Sequence, residues 1–185
     1  MKRSLLAVVI VFAAGVLALE AKDAGKPVPG SWLRDIKITY QGEGAQGTAN
    51  LRIYFPKNYR AGSSFRTVIA LHGYAYTSKD WESEAAHAVR LANDFNMVLV
   101  CPDMGKTVYE YSYYPETTEK WGPMPGGKFI SQVLVPFLRD TYGLATDRSR
   151  TGIMGVSTGG RGALLVACKN PELVGAAAGL SGDYD

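Results

Sequence analysis

The stretch Thr151-Gly-Ile-Met-Gly-Val-Ser-Thr-Gly-Gly-Arg-Gly-Ala-Leu164 limits the possible folds more than any other part of the chain. Residues 152–156 suit a buried strand, residues 160–169 suit a helix, and a serine sits at the break between them. A chain can pass that sharply from strand to helix only if small residues flank the turn, and Gly155 and Gly159 stand where they are needed. A serine hydroxyl is a poor nucleophile unless such a turn holds and exposes it. Ser157 is therefore the candidate nucleophile. The N–H of Thr158, at the start of the helix, is a candidate donor to an oxyanion because helix N-termini carry unpaired donors and partial positive charge.

The chain ahead of this elbow carries the sheet that the turn requires. Ile36-Lys-Ile-Thr-Tyr40 and Leu51-Arg-Ile-Tyr-Phe55 alternate apolar and mixed positions around Gly42, Gly44 and Gly47, which predicts an antiparallel strand pair. Thr67-Val-Ile-Ala-Leu71 and residues 97–101 are continuous apolar runs, suited to strands buried on both faces. Between them Trp81, Ala85, Ala88, Ala92 and Phe95 recur at steps of four and three, one face of a helix capped by Thr77 or Ser78. Strand, helix and strand in this order imply a parallel sheet with right-handed crossovers. Residues 102–127 form a long Tyr-rich connection, of a length that usually serves function. Residues 129–142 predict a further helix, with Pro136 kinking it or starting a new turn, and residues 174–180 a last small-residue strand.

The N-terminus reads differently. Lys2 and Arg3 precede an apolar run over residues 5–19, the pattern of a secretory signal. We expect cleavage after Ala18 or Ala21; Val16 and Ala18 suit the first site, and Leu19 is bulky for the second. The run is short for ~30 Å of hydrocarbon, so no stable membrane span is expected once it is removed. The product would be secreted or periplasmic, with residues 1–21 as signal and cleavage region and 22–185 as one domain. An apolar share of 46% with 20% charged residues fits one globular core.

Removing Lys2 and Arg3 lowers the formal charge of +3 to +1, and the other basic residues are interspersed with acids. No basic stripe is present, so nucleic-acid binding is not expected. Export permits a disulfide, but Cys101 ends a strand whereas Cys168 lies at the far end of a helix running back along the sheet. Their Cα atoms should exceed the ~4.4–6.8 Å that a disulfide needs, and two buried free thiols are expected. His72 and His87 are isolated from each other and from both cysteines, so no metal site and no cofactor are predicted. Oligomeric state has no signature in the sequence.

Acyl transfer at an ester needs a nucleophile, a general base, a group that orients the base, and donors for the oxyanion. Ser157 and Thr158 supply the first and part of the last. The second donor should come from the turn after the preceding buried strand, which points to the N–H of Tyr74. Trp81, Tyr113, Tyr114 and Trp121 are candidates for an aromatic wall around a substrate, or are packed core and loop residues. Arg161, one turn into the helix, reads as a surface cation or a brace for a loop.

Leu71-His-Gly-Tyr74 with Asp80-Trp81 behind it, Tyr113-Tyr-Pro-Glu116, and Gly155-Val-Ser-Thr-Gly-Gly-Arg-Gly-Ala-Leu164 together resemble the esterase D branch of the α/β-hydrolases. That branch includes S-formylglutathione hydrolases, feruloyl and acetylxylan esterases, and mycolyl transferases, and the resemblance runs roughly from Leu33 to the end. It implies an α/β-hydrolase fold with a mostly parallel sheet, and a serine esterase acting on carbohydrate or aryl esters through a Ser157 acyl-enzyme. In such enzymes the acid follows a seventh strand and the histidine an eighth. Here no histidine follows Ser157, and 28 residues remain. His72 holds the oxyanion turn structurally in that branch, His87 reads as a flank or surface residue, and Asp183 stands where some other α/β-hydrolases place the acid. The expectation is a fold without its last strands and helices, and an inactive chain. A non-catalytic ligand-binding module and one half of a split esterase are the alternatives.

Overall fold

The computed structural model describes residues 24–42, 45–112, 115 and 118–182. The expected signal segment, Tyr113, Tyr114 and Asp183 lie outside them. Six strands build one sheet: β1 (Ser31–Gly42), β2 (Ala45–Phe55), β3 (Arg66–Leu71), β4 (Met97–Asp103), β5 (Thr151–Val156) and β6 (Ala176–Leu180), in the spatial order β1-β2-β4-β3-β5-β6. β1 and β2 pair antiparallel and β2 joins β4 antiparallel, while β4, β3, β5 and β6 run parallel to one another. This is the α/β architecture expected, with the antiparallel strand pair first and a parallel sheet after it. A bulge between Leu33 and Ile36 bends β1, and Asp35 within it has φ 61°.

The central runs are as buried as their composition demands. Ile69, Leu71, Val98 and Val100 belong to the larger core on one face, joined by Phe129, Val133, Phe137, Ala163 and Val166. On the opposite face Tyr54, Ala70, Leu99 and Cys101 pack with Ala88 and Ala92 of a short helix, α1 (Ala88–Asp94). At the sheet's edge β6 is largely exposed, with Leu180 59% accessible.

Three expectations need correction. The single helix expected over residues 81–95 is two 3-10 turns, Ser78–Glu82 and Glu84–Ala86, followed by α1. Thr77 and Asp80 close a capping box on the first turn, Ser83 breaks it in an extended conformation, and His87 turns left-handed at φ 52°. Trp81, Ala88 and Ala92 still reach one cluster, but Ala85 is exposed and Phe95 is 57% accessible.

The helix expected over residues 129–142 begins earlier, as α3 (Gly126–Lys128) after the short α2 (Thr118–Trp121), and continues as α4 (Val135–Tyr142). The wider π turns of Phe129–Leu134 lie between them, directly ahead of Pro136. Proline has no N–H to give to the preceding turn, and a local change of helical pitch is the usual accommodation.

The third correction concerns the cysteines. Both are free, but only Cys101 is buried. On α5 (Thr158–Lys169) the buried side is Gly159, Gly160, Gly162, Ala163 and Val166, and position 168 falls off that stripe into solvent.

Candidate active site

β5 ends and α5 begins at Ser157, whose backbone has φ 55° and ψ −125°. A non-glycine residue held there stores about 1–3 kcal/mol of strain, which only the surrounding structure can offset. The surroundings do so by backbone-to-backbone packing. A Cβ at Gly155 would run into the carbonyl of Gly159, and one at Gly159 would run into the carbonyls of Leu71 and His72. Both glycines are therefore demanded by contact with main chain that cannot move aside. The Ser157 N–H donates to the Leu180 carbonyl (2.8 Å), and the Ser157 carbonyl accepts from the N–H groups of Gly160 and Arg161.

The turn after β3 lies directly against this elbow. A Cβ built on Gly73 would stand 3.1 Å from the Ser157 Cβ, so the turn that carries the Tyr74 N–H borders the serine side chain. His72 is buried and fastened at both ring nitrogens. Nε2 accepts from the Met104 N–H at 3.3 Å, which leaves the ring proton on Nδ1, 2.8 Å from the Gly73 carbonyl that it meets as donor. The Gly73 carbonyl also receives the Tyr76 N–H. With both nitrogens engaged, His72 shapes the turn and has no free atom for the serine proton. His87 is exposed at the left-handed start of α1 and lines no part of the cleft.

Thr158 opens α5, where its N–H lacks an intrahelical acceptor by helix geometry. Ser157 and Thr158 line an open cleft of about 610 Å³ together with Val108, Glu110, Trp121, Arg161, Ser181 and Gly182. That size suits a small-molecule or sugar ester. Of the aromatics expected around a substrate Trp121 lines the cleft, and the Tyr74 ring, expected only for its backbone N–H, meets it edge to face, 5.2 Å between centroids and 76° apart. Trp81 is placed elsewhere, against the Tyr54, Ala70 and Leu99 cluster on the other face of the sheet.

Sequence reasoning did not assign Val108, Glu110 or Arg161 to the cleft. Arg161 donates to the Val108 carbonyl (3.1 Å) and pairs with Glu110 Oε1 at 2.6 Å, and so clamps the strap of residues 107–111 over the start of α5. The available signal was that Arg161 lies one turn from Ser157 on the same helix. Its partners could not be read, because they are more than fifty positions away in an irregular loop. Tyr109 in that strap is wholly buried, and burial drives its phenol pKa far above the ordinary value, so it remains a neutral donor. Among the described residues no three His, Cys, Asp or Glu side chains gather where they could hold a metal ion. No helix among them is long and apolar enough to cross a membrane.

A mostly parallel sheet with a strained serine between strand and helix, beside the turn of the neighbouring strand, defines the α/β-hydrolase fold. Solved structures with this fold superpose on the chain. One is an S-formylglutathione hydrolase from Agrobacterium tumefaciens (TM-score 0.62, 19% identity, 83% of this chain and 59% of that one). Another is a ferulic acid esterase from Anaeromyces mucronatus (TM-score 0.58, 22% identity, 86% of this chain and 60% of that one). The family model described as "Putative esterase" matches residues 43–185, and the chain belongs to this esterase family, whose members are carboxylic ester hydrolases. An acetyl esterase of Caldicellulosiruptor saccharolyticus is 32% identical over 113 residues, 60% of this chain. The match spans 40% of that curated relative's length.

Proposed function

We propose that the chain carries the nucleophile and oxyanion half of a serine carboxylic-ester hydrolase. Ser157 Oγ attacks the ester carbonyl, and the N–H groups of Thr158 and Tyr74 receive the oxyanion. Collapse releases the alcohol and leaves an acyl-Ser157 ester for water to cleave. The observation that carries this reading is the strained backbone of Ser157 at the floor of an open cleft, pressed against the Gly73 turn. Strain of this kind persists where a reactive group must be presented. The proposed substrates are carbohydrate or aryl esters, supported by the aromatic pair at the cleft and by the acetyl and ferulic acid esterases among its relatives. The basic and apolar start of the sequence supports export.

No free general base for the Ser157 proton lines the cleft among the described residues: Glu110 is paired with Arg161, and His72, which lies outside the lining, is engaged at both ring nitrogens. Losing the histidine of such a triad costs about a millionfold in rate, so residues 1–185 alone should be nearly inactive. Imidazole in solution can replace a missing base, and this makes the reading testable. With p-nitrophenyl acetate and added imidazole, the protein should show a hydrolytic increment that Ser157→Ala lacks. Equal rates for the two proteins across the imidazole series would reject Ser157 as nucleophile and favour the non-catalytic binding module.

A further inference from the structure

One side of the cleft mouth is aromatic and cationic together. Lys106 Nζ stands 5.6 Å from the centroid of the Tyr74 ring, and Lys120 Nζ stands 4.7 Å from that of Trp121, the ring that lines the cleft. The two lysines come from separate segments that meet where Gly122, at φ +75°, brings its Cα against the Lys106 carbonyl; a Cβ there would lie 3.1 Å from that oxygen. Both lysines are exposed, and among the described residues neither has a carboxylate partner. The cation nearer the serine is different, since Glu110 neutralises Arg161 at 2.6 Å. Among the described residues, the cations by the cleft without a carboxylate partner are therefore these two, on the Tyr74–Trp121 pair.

We infer that this rim binds the carboxylate of an acidic sugar, a uronate residue on the alcohol side of the ester. Only the placing of this sugar on the alcohol side of an ester rests on the ester-hydrolase reading. Trp121 lines the cleft that Ser157 opens into, and Lys120 on that ring and Lys106 on the adjoining Tyr74 ring border the same wall. The aromatic faces offer an apolar surface to the C–H side of a sugar ring, and the two ammonium groups offer charge-assisted donors to a carboxylate at its edge. A neutral sugar gains only the first contribution. The charge contribution belongs to exposed groups and must weaken as salt shortens the screening length to ~8 Å and below.

The test uses binding, so it does not depend on turnover. The 185-residue protein is titrated with trigalacturonate and with xylotriose, neither of which carries an ester, while the Trp121 indole resonance is followed by NMR. Trigalacturonate should bind about tenfold more tightly at low ionic strength, and the preference should shrink in half-molar salt, as expected for two exposed charge contacts. Lys106→Gln/Lys120→Gln should abolish the preference and leave xylotriose affinity and Tm unchanged, whereas Lys106→Arg/Lys120→Arg should retain it. Equal affinity for the two trimers, no binding of either, or a preference surviving in the double glutamine variant overturns the inference. So does equally tight binding of succinate or inorganic phosphate, which bring charge without a sugar. Failure of the ester reading would show separately, as loss of the Ser157-dependent increment with p-nitrophenyl acetate, a substrate without a carboxylate.

Discussion

The phenol O–H of Tyr109 donates to the main-chain carbonyl of His72 across 2.7 Å, while the same ring lies so close to Gly162 that a Cβ there would stand 2.5 Å from it. One side chain thus joins the strap over the cleft to the turn before Tyr74 and to the helix that Ser157 begins. Thr107 Oγ1 accepts the Tyr109 N–H at 2.9 Å and supports the residue in its left-handed backbone, φ 59°. Tyr109→Phe keeps the ring and removes only the bond, for an expected loss of about 1–2 kcal/mol of stability. Tyr109→Ala removes the ring as well and should cost about 3–5 kcal/mol. Urea unfolding measures both. Equal losses would mean that the hydroxyl, and not the packing, accounts for the whole effect.

Gly159→Ala should be far more damaging than Gly143→Ala, although both remove a glycine. At Gly143 the chain has φ 65° with nothing within 4 Å, so the methyl adds only backbone strain of about 1–2 kcal/mol. At Gly159 the methyl meets the carbonyls of Leu71 and His72, and the elbow must part from β3 to admit it. Loss of cooperative unfolding in Gly159→Ala, beside a modest shift in Gly143→Ala, is the expected pair of melting curves. Similar curves would contradict the close packing of elbow and turn.

Glu82 joins the bulged end of β1 to β2 through Arg34 (2.7 Å) and Arg52 (2.5 Å). Partial burial pushes its carboxyl pKa upward, but the hydrogen bonds and charges of the two guanidinium groups together outweigh burial and hold it below the ordinary value of 4.5. A carboxyl with a lowered folded pKa stabilises the fold fully above its unfolded value. That contribution is lost as pH falls through the folded one. The stability difference between the protein and Glu82→Gln should be constant near neutral pH and shrink below about pH 4.5. A difference that grows on acidification would contradict this arrangement.

The cysteines should react in sequence. Cys168 is exposed on α5, and Cys101 lies at 0% accessibility within β4, where burial raises its thiol pKa well above the usual range. A thiol-specific disulfide reagent should modify one cysteine in the folded protein and two after denaturation, with mass analysis placing the first on Cys168. Fast modification of Cys101 under native conditions would mean that β4 opens.

Legibility of the sequence followed the range of the physical constraint. The elbow could be read because its requirements are local: a strand period, a helix period, and glycines within two residues of Ser157. The central strands could be read because burial on both faces demands unbroken apolar runs. Residues 81–95 misled because the spacing of Trp81, Ala88 and Ala92 satisfies one packed face whether the chain between them is a helix or a series of tight turns. The capping box at Thr77 and Asp80 and the left-handed His87 decided for turns.

The amino-acid sequence by itself determined the tight strand-to-helix turn at Ser157 and which runs become buried strands, since each depends on neighbours a few positions apart. Only the tertiary structure decided what encloses that serine. Arg161 on Glu110, Tyr109 on His72, and Lys106 and Lys120 on the Tyr74–Trp121 pair join positions brought together by the sheet and the long strap. Contacts between side chains of irregular segments leave no period in the sequence, because nothing in their spacing constrains which residues will meet.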